Sequence, residues 1–260
     1  MIVSVVYTEL LKLRRSAVTW LTWLAFSIMP LVGGLFMWIV REPARAARLG
    51  LLGQKAQLSG LSADWSSYLR LLLQTTGLGG MILVSVIAAF VFGREYSDAT
   101  AKNLLTLPID RGWFVAGKFA VVFLWFAALT LSLLAEGFAV ASSLDLPGYS
   151  PLLARAAALD ILLAALVAFM LVPAVAFIAA LGRGYLAPLG FTIFMLVMGN
   201  VLGATGWGRY FPWSIVPLFA GAAGPRNETL APESLWVLTV TCLVGVSLTT
   251  LQLRYADCAE

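Results

Sequence analysis

Residues 92–118 read FGREYSDATAKNLLTLPIDRGWFVAGK, an island of mixed charge between two apolar runs of membrane length. Arg94, Lys102, Arg111 and Lys118 supply four cations, and Glu95, Asp98 and Asp110 three anions. Ser97 is placed to cap a short helix whose first turn holds Asp98, where the helix dipole favours an acid. Asp98 and Lys102 then share one face at i,i+4, and Leu104, Leu105 and Leu107 form an apolar patch. Pro108 closes that helix, because the residue before a proline is pushed out of the helical region. A short amphipathic helix between two spans is suited to pressing on a partner.

The same alternation of long apolar runs and short polar links extends in both directions. Upstream, the second span covers about 71–92 and is rich in small residues, with Gly77, Gly79 and Gly80 permitting close helix approach. Before it lies a polar segment, 41–70, and before that the first span, about 17–40, longer than the roughly 30 Å hydrocarbon core requires. Residues 1–16, MIVSVVYTELLKLRRS, read as an amphipathic helix on a membrane surface. Ser4, Thr8, Lys12 and Arg15 make its polar stripe, with Glu9 at the edge, and Ile2, Val3, Val6, Leu10 and Leu13 cover the other side. A signal peptide is rejected, since the apolar run that follows is about twice the length of an h-region. Downstream, the third span covers about 113–140, with Lys118 near its start placed to snorkel to the headgroups. The fourth covers 155–181, kinked at Pro173, the fifth 185–205 and the sixth 235–253. Residues 206–233, rich in aromatics, proline and glycine, read as a half-inserted external hairpin, with Trp207, Tyr210, Phe211 and Trp213 as an interfacial belt. The expected fold is therefore an all-α membrane protein, one transmembrane domain over 1–260 with six membrane helices.

Composition agrees. Of 260 residues, 61% are hydrophobic and 12% charged, about half the charge of a soluble domain. The balance of 17 Lys and Arg against 13 Asp and Glu is too even to suggest nucleic acid. Two cysteines give no disulfide framework, and the absence of histidine removes most metal sites and every Ser-His or Cys-His catalytic pair. Six spans put both termini on one side. Nine of the 17 basic residues fall on that side and eight on the other, so the positive-inside rule leaves orientation open.

The central stretch resembles the loop between the second and third spans of type-2 ABC exporter permeases. Their REY…T…LLTLP…R…K pattern is matched here by Arg94, Glu95, Tyr96, Thr100, Leu104 to Pro108, Arg111 and Lys118; Ala99 departs from a common glycine. Glu9, Lys12 and Arg15 are similar to the E-x-x-K-then-Arg pattern of the family's interface helix, and YFPWSIVP before the last span also fits. The resemblance extends over the whole chain and is most specific in the central loop. Within that family it resembles the smaller members, such as those that protect cells from bacitracin and lantibiotics. It implies that the 93–112 segment is a cytoplasmic coupling loop and that Glu9, Lys12, Arg15, Arg94, Glu95, Asp98, Lys102 and Arg111 contact a separate ATP-binding subunit. It further implies two such subunits carrying ATP and Mg, a homo- or heterodimer of permease chains, a bacterial plasma membrane location and cytoplasmic termini. This chain would hold no cofactor and catalyse no reaction; it has no phosphate-binding G-x-x-x-x-G-K-[ST] loop.

Three polar residues within the apolar runs are candidates for a translocation path. An ionisable group at mid-bilayer costs at least about 2.5–3.5 kcal/mol and is usually functional, which marks Glu136 and Asp160. Glu136, however, lies roughly 27 Å along the helix from Lys118, near the far interface, and Asp160 can pair with Arg155, so anchoring is the plainer role. Asn200, between Gly199 and Gly203, fits a hydrogen bond to a neighbouring helix. Phe211, Pro212 and Trp213 are candidates for an external gate. An apolar wall with few charges suits amphiphilic or hydrophobic cargo. The alternatives are a stand-alone channel or secondary transporter, and a membrane anchor that recruits a cytoplasmic partner.

Overall fold

In lipid a lone segment can satisfy its backbone hydrogen bonds only as a helix. In the computed structural model, the described residues, 2–48, 50, 62–97, 111–223 and 229–255, contain helices and no strand. Six helices among them are long and apolar enough to cross a membrane: Ala17–Arg41, Trp65–Arg94, Arg111–Ser143, Pro151–Leu181, Leu186–Gly203 and Pro232–Arg254, here the first to sixth spans. Their number and order match the expectation. The N-terminal helix, Ile2–Arg14, precedes them and turns into the first span at Leu13, whose carbonyl accepts the hydroxyls of Ser16 and Thr19. Another short helix, Pro43–Arg48, follows the first span.

Several boundaries differ from the reading of the sequence. The helix of the second span starts at Trp65, not at 71, and continues to Ser97. The cause of the early start is Asp64, whose Oδ1 accepts the Ser67 backbone N–H at 2.8 Å as an N-cap. Burial pushes the Asp64 carboxyl up, but hydrogen bonds from Ser62, the Ser67 backbone and Ser66 outweigh this and hold its pKa at about 2. The fourth span is broken at Met170–Leu171 into Pro151–Phe169 and Val172–Leu181. The break falls before Pro173 because a proline ring excludes the carbonyl four residues earlier. Thr249 of the sixth span donates to the Pro173 carbonyl at 3.2 Å across this break.

The second span is the hub. It packs on the first, third, fourth and fifth spans and on a short helix, Pro212–Ala220. Leu72, Val84, Ile87 and Phe92 along it are buried. The first, fifth and sixth spans leave Trp20, Leu31, Phe194, Val197, Trp236 and Leu243 exposed, as lipid-facing surfaces are.

Candidate functional site

Arg94 and Arg111 lie toward the two ends of the segment singled out by the sequence, and the structure ties each to a different element. Arg94 Nη1 donates to the Lys12 carbonyl of the N-terminal helix at 3.5 Å, and its guanidinium lies 5.4 Å from the Phe90 ring centroid. Arg111 Nη1 donates to the carbonyls of Leu253, at 3.0 Å, and Arg254. Those carbonyls belong to the last turn of the sixth span, where acceptors lack helical partners and the dipole favours a cation. The Glu95 side chain and all of Asp98 and Lys102 lie outside the described residues.

The N-terminal helix buries Val5, Glu9 and Leu13 at i, i+4 and i+8, while Ser4, Thr8 and Arg15 are exposed. Glu9 is therefore in the centre of the buried stripe, 5% exposed, rather than at the edge of the polar one. What draws it inward is the facing third span. A Cβ on Gly117 would lie 2.6 Å from Val5 Cγ1, so the valine side chain seats here only against a glycine. The next residue is Lys118, only 1% exposed. Its ammonium donates to the Val91 carbonyl of the second span, lies 3.9 Å from Glu9 Oε2, and sits 5.5 and 5.0 Å from the ring centroids of Phe92 and Phe114. The expectation that Lys118 snorkels outward is thus corrected. A buried cation is costly alone, but a carboxylate, a carbonyl and two aromatic faces together replace its hydration. Glu9 Oε1 also accepts Lys12 Nζ at 2.5 Å, so one carboxylate serves two cations. Nothing in the sequence pattern paired Lys118 with Glu9. The signals were a lysine in the second turn of an apolar run, a glycine before it and an acid between buried positions of an amphipathic helix.

Comparison with known proteins follows the same elements. The family model described as ABC-2 family transporter protein matches residues 5–199, from the N-terminal helix through the fifth span. The chain belongs to the ABC-2 transporter family. It is also similar to the bacitracin transport permease protein BCRB of Bacillus licheniformis, with 26% identity over 205 residues covering 75% of this chain and 90% of that one. The chain is accordingly a multi-pass membrane permease of an ABC transporter, a family that works with an ABC ATP-binding subunit.

The residues proposed for the permease's path sit on three different spans. Glu136, half-buried on the third, accepts the Ser27 hydroxyl of the first at 3.0 Å. Asp160 is half-buried on the fourth. Asn200 is exposed, and its amide donates to Leu196 of its own helix at 2.9 Å, which corrects the expected bond to a neighbouring helix. Beside the second span, Met29, Gln74, Thr75, Leu78, Gly79 and Gly221 line a cavity of about 390 Å³.

In the 206–233 segment of this ABC-2 permease, Phe211 precedes the short helix and Pro212 opens it, where a missing N–H costs nothing. Seven of its nine residues are buried. Trp207 and Tyr210 are exposed, as an interfacial belt requires, but Trp213 is 6% exposed and stacks edge-on against Phe191 at 5.4 Å. Its place in the belt is corrected. Gly199 is the reason: a Cβ there would lie 2.6 Å from the Trp213 carbonyl oxygen, so the small-residue pair of the fifth span packs within the chain. Ser214 donates to the Gly208 carbonyl at 2.9 Å, and Gln74 of the second span donates to Gly221 at 2.9 Å where the helix ends.

Proposed function

We propose that this chain is the membrane half of an ATP-driven exporter, working by alternating access under the push of a separate ATP-binding subunit. The observation that carries the reading is the tethering of both flanks of the 98–110 segment, Arg94 to the N-terminal helix and Arg111 to the sixth span. A force applied there reaches the N-terminal helix and the sixth span, at the two ends of the chain. In this reading the segment and both termini are cytoplasmic, and Lys12, Arg15, Arg94, Glu95, Asp98, Lys102 and Arg111 form the contact face, with Glu9 supporting it from inside. Two permease chains and two ATP-binding subunits, each with ATP and Mg, make the working unit. The Pro212–Ala220 helix, re-entrant from the external side, forms the outer gate with Phe211, Pro212 and Trp213. Glu136, Asp160 and Asn200 border the path.

The cargo class is amphiphilic or hydrophobic. Support comes from the few charges in the spans, from the mixed amide, hydroxyl and apolar lining of the cavity at Gln74 and Thr75, and from the bacitracin named for the similar permease. The test is the double variant Glu95→Lys/Asp98→Lys in cells carrying the cognate ATP-binding subunit, with bacitracin as probe. Wild type is expected to raise tolerance. The double variant is expected to insert normally, retain ATP hydrolysis in the purified complex and lose the tolerance. Full tolerance in the double variant would refute the contact, and tolerance that persists without the ATP-binding subunit would favour a stand-alone transporter.

A further inference from the structure

We infer that Lys118 is a positioning residue that clamps the N-terminal helix to the second and third spans, so that the three move as one body through the transport cycle. The transport cycle rests on the exporter reading, but the clamp itself is built from contacts in this chain. The Lys118 side chain joins three elements: its own span, Val91 on the second and Glu9 on the N-terminal helix. The directions of these contacts differ. The Val91 carbonyl fixes the ammonium against the second span, and the Glu9 carboxylate then holds the N-terminal helix to that fixed charge. The rings of Phe92 and Phe114 surround the ammonium and exclude water. In such a site the attraction is little screened and the cost of separating the charges is high.

Shape reinforces the charge. One residue before Lys118, Gly117 lets Val5 seat directly on the third span. Four residues from Val5 along the N-terminal helix stands Glu9, so the apolar contact and the ion pair lie on one stripe, a turn apart. Sliding the helix along the span would break both together. A contact arranged this way resists gradual displacement and suits a part that transmits motion rather than one that moves against its neighbour. Glu9 thereby acts through Lys118 and the bundle, not by touching the partner subunit.

Cysteine cross-linking tests this. The position of a Cβ on Gly117 is 3.2 Å from Val5 Cβ, a few tenths of an ångström under the usual disulfide span of about 3.5–4.5 Å. After replacing Cys242 and Cys258 by serine, Val5→Cys/Gly117→Cys is oxidised in the full chain, in membranes with its ATP-binding subunit. It is treated without nucleotide, with ATP, and with ATP plus vanadate. Gly203→Cys/Ala223→Cys, whose Cβ positions are 3.1 Å apart at the opposite end, reports on folding. The clamp predicts equal cross-linking at 5/117 in all three conditions. Lys118→Met is expected to lower it by roughly tenfold or more, as loss of one member of a buried pair would, with 203/223 unchanged and Lys118→Arg largely restoring it. A fall in 5/117 cross-linking on adding nucleotide to the otherwise unaltered pair would overturn the inference, as would full cross-linking in Lys118→Met. Loss of cross-linking at both pairs in Lys118→Met would also overturn it, by making the lysine a general folding residue. If no ATP-binding subunit co-purifies, the exporter reading fails, while the Lys118→Met and Lys118→Arg arms still decide the clamp.

Discussion

At the end of the bundle that carries Arg94 and Arg111, helices are joined by charge: Glu9 between Lys12 and Lys118, Arg94 on a carbonyl of the N-terminal helix, Arg111 on carbonyls of the sixth span. At the opposite end the Pro212–Ala220 helix is held by shape, with Trp213 against Gly199 and Phe191 and neutral hydrogen bonds at Ser214 and Gln74. The difference is physical before it is functional. The buried Glu9–Lys118 contact is directional and little screened, so it transmits a displacement. Close-packed apolar contacts have many small terms and two ways to fit badly, so they hold a helix in place until a larger rearrangement frees it.

The largest loss is expected at Glu9. Glu9→Leu removes the carboxylate from beside a buried ammonium, and a loss of about 3–5 kcal/mol is expected, read from the unfolding midpoint in a detergent titration. A change no larger than that of an exposed substitution such as Arg15→Ala would show that the charged end is not held by charge. Next in size is Gly199→Ala at the shape-held end. The new methyl meets main-chain atoms of Trp213, and overpacking of this kind costs about 1–3 kcal/mol. Its effect should be independent of salt, and stabilisation by the alanine would contradict the packing described. Ser214→Ala should cost less, about 1 kcal/mol, with Trp213 fluorescence reporting any loosening of the helix.

The smallest effect lies outside the spans. Asp64 has its pKa lowered from 3.8 to about 2. Its carboxylate therefore adds stability that is complete above about pH 4, declines as pH falls toward 2 and is lost below that. The contribution is modest because the site is largely solvated. Asp64→Ala should abolish this acid-range slope, and an unchanged pH profile would remove Asp64 as the cap of the second span.

Much of this architecture was legible in the residues. Apolar length alone located six spans, because the bilayer sets one requirement that every spanning helix must meet. Pro173 marked the broken span, though the break falls a turn earlier, where the ring acts. The site was legible only in part. Arg94 and Arg111 stood out as charges at span ends, but which carbonyls they reach depends on which helices are neighbours, and spacing along one helix carries no such information. Lys118 shows the same limit: a lysine near a span end snorkels unless a partner waits inside, and that partner lies more than a hundred residues away on another helix. Trp213 and Trp207 have the same chemistry in the sequence, and only Gly199, on a neighbouring span, sends one inward while the other stays exposed.

The most direct test of the central claim is quantitative affinity capture of the tagged chain from gently solubilised native membranes, with mass spectrometry of everything retained. The account predicts an ABC ATP-binding subunit in near one-to-one amount with the permease chain. Recovery of the chain alone, even after cross-linking through the 93–118 segment, would contradict it.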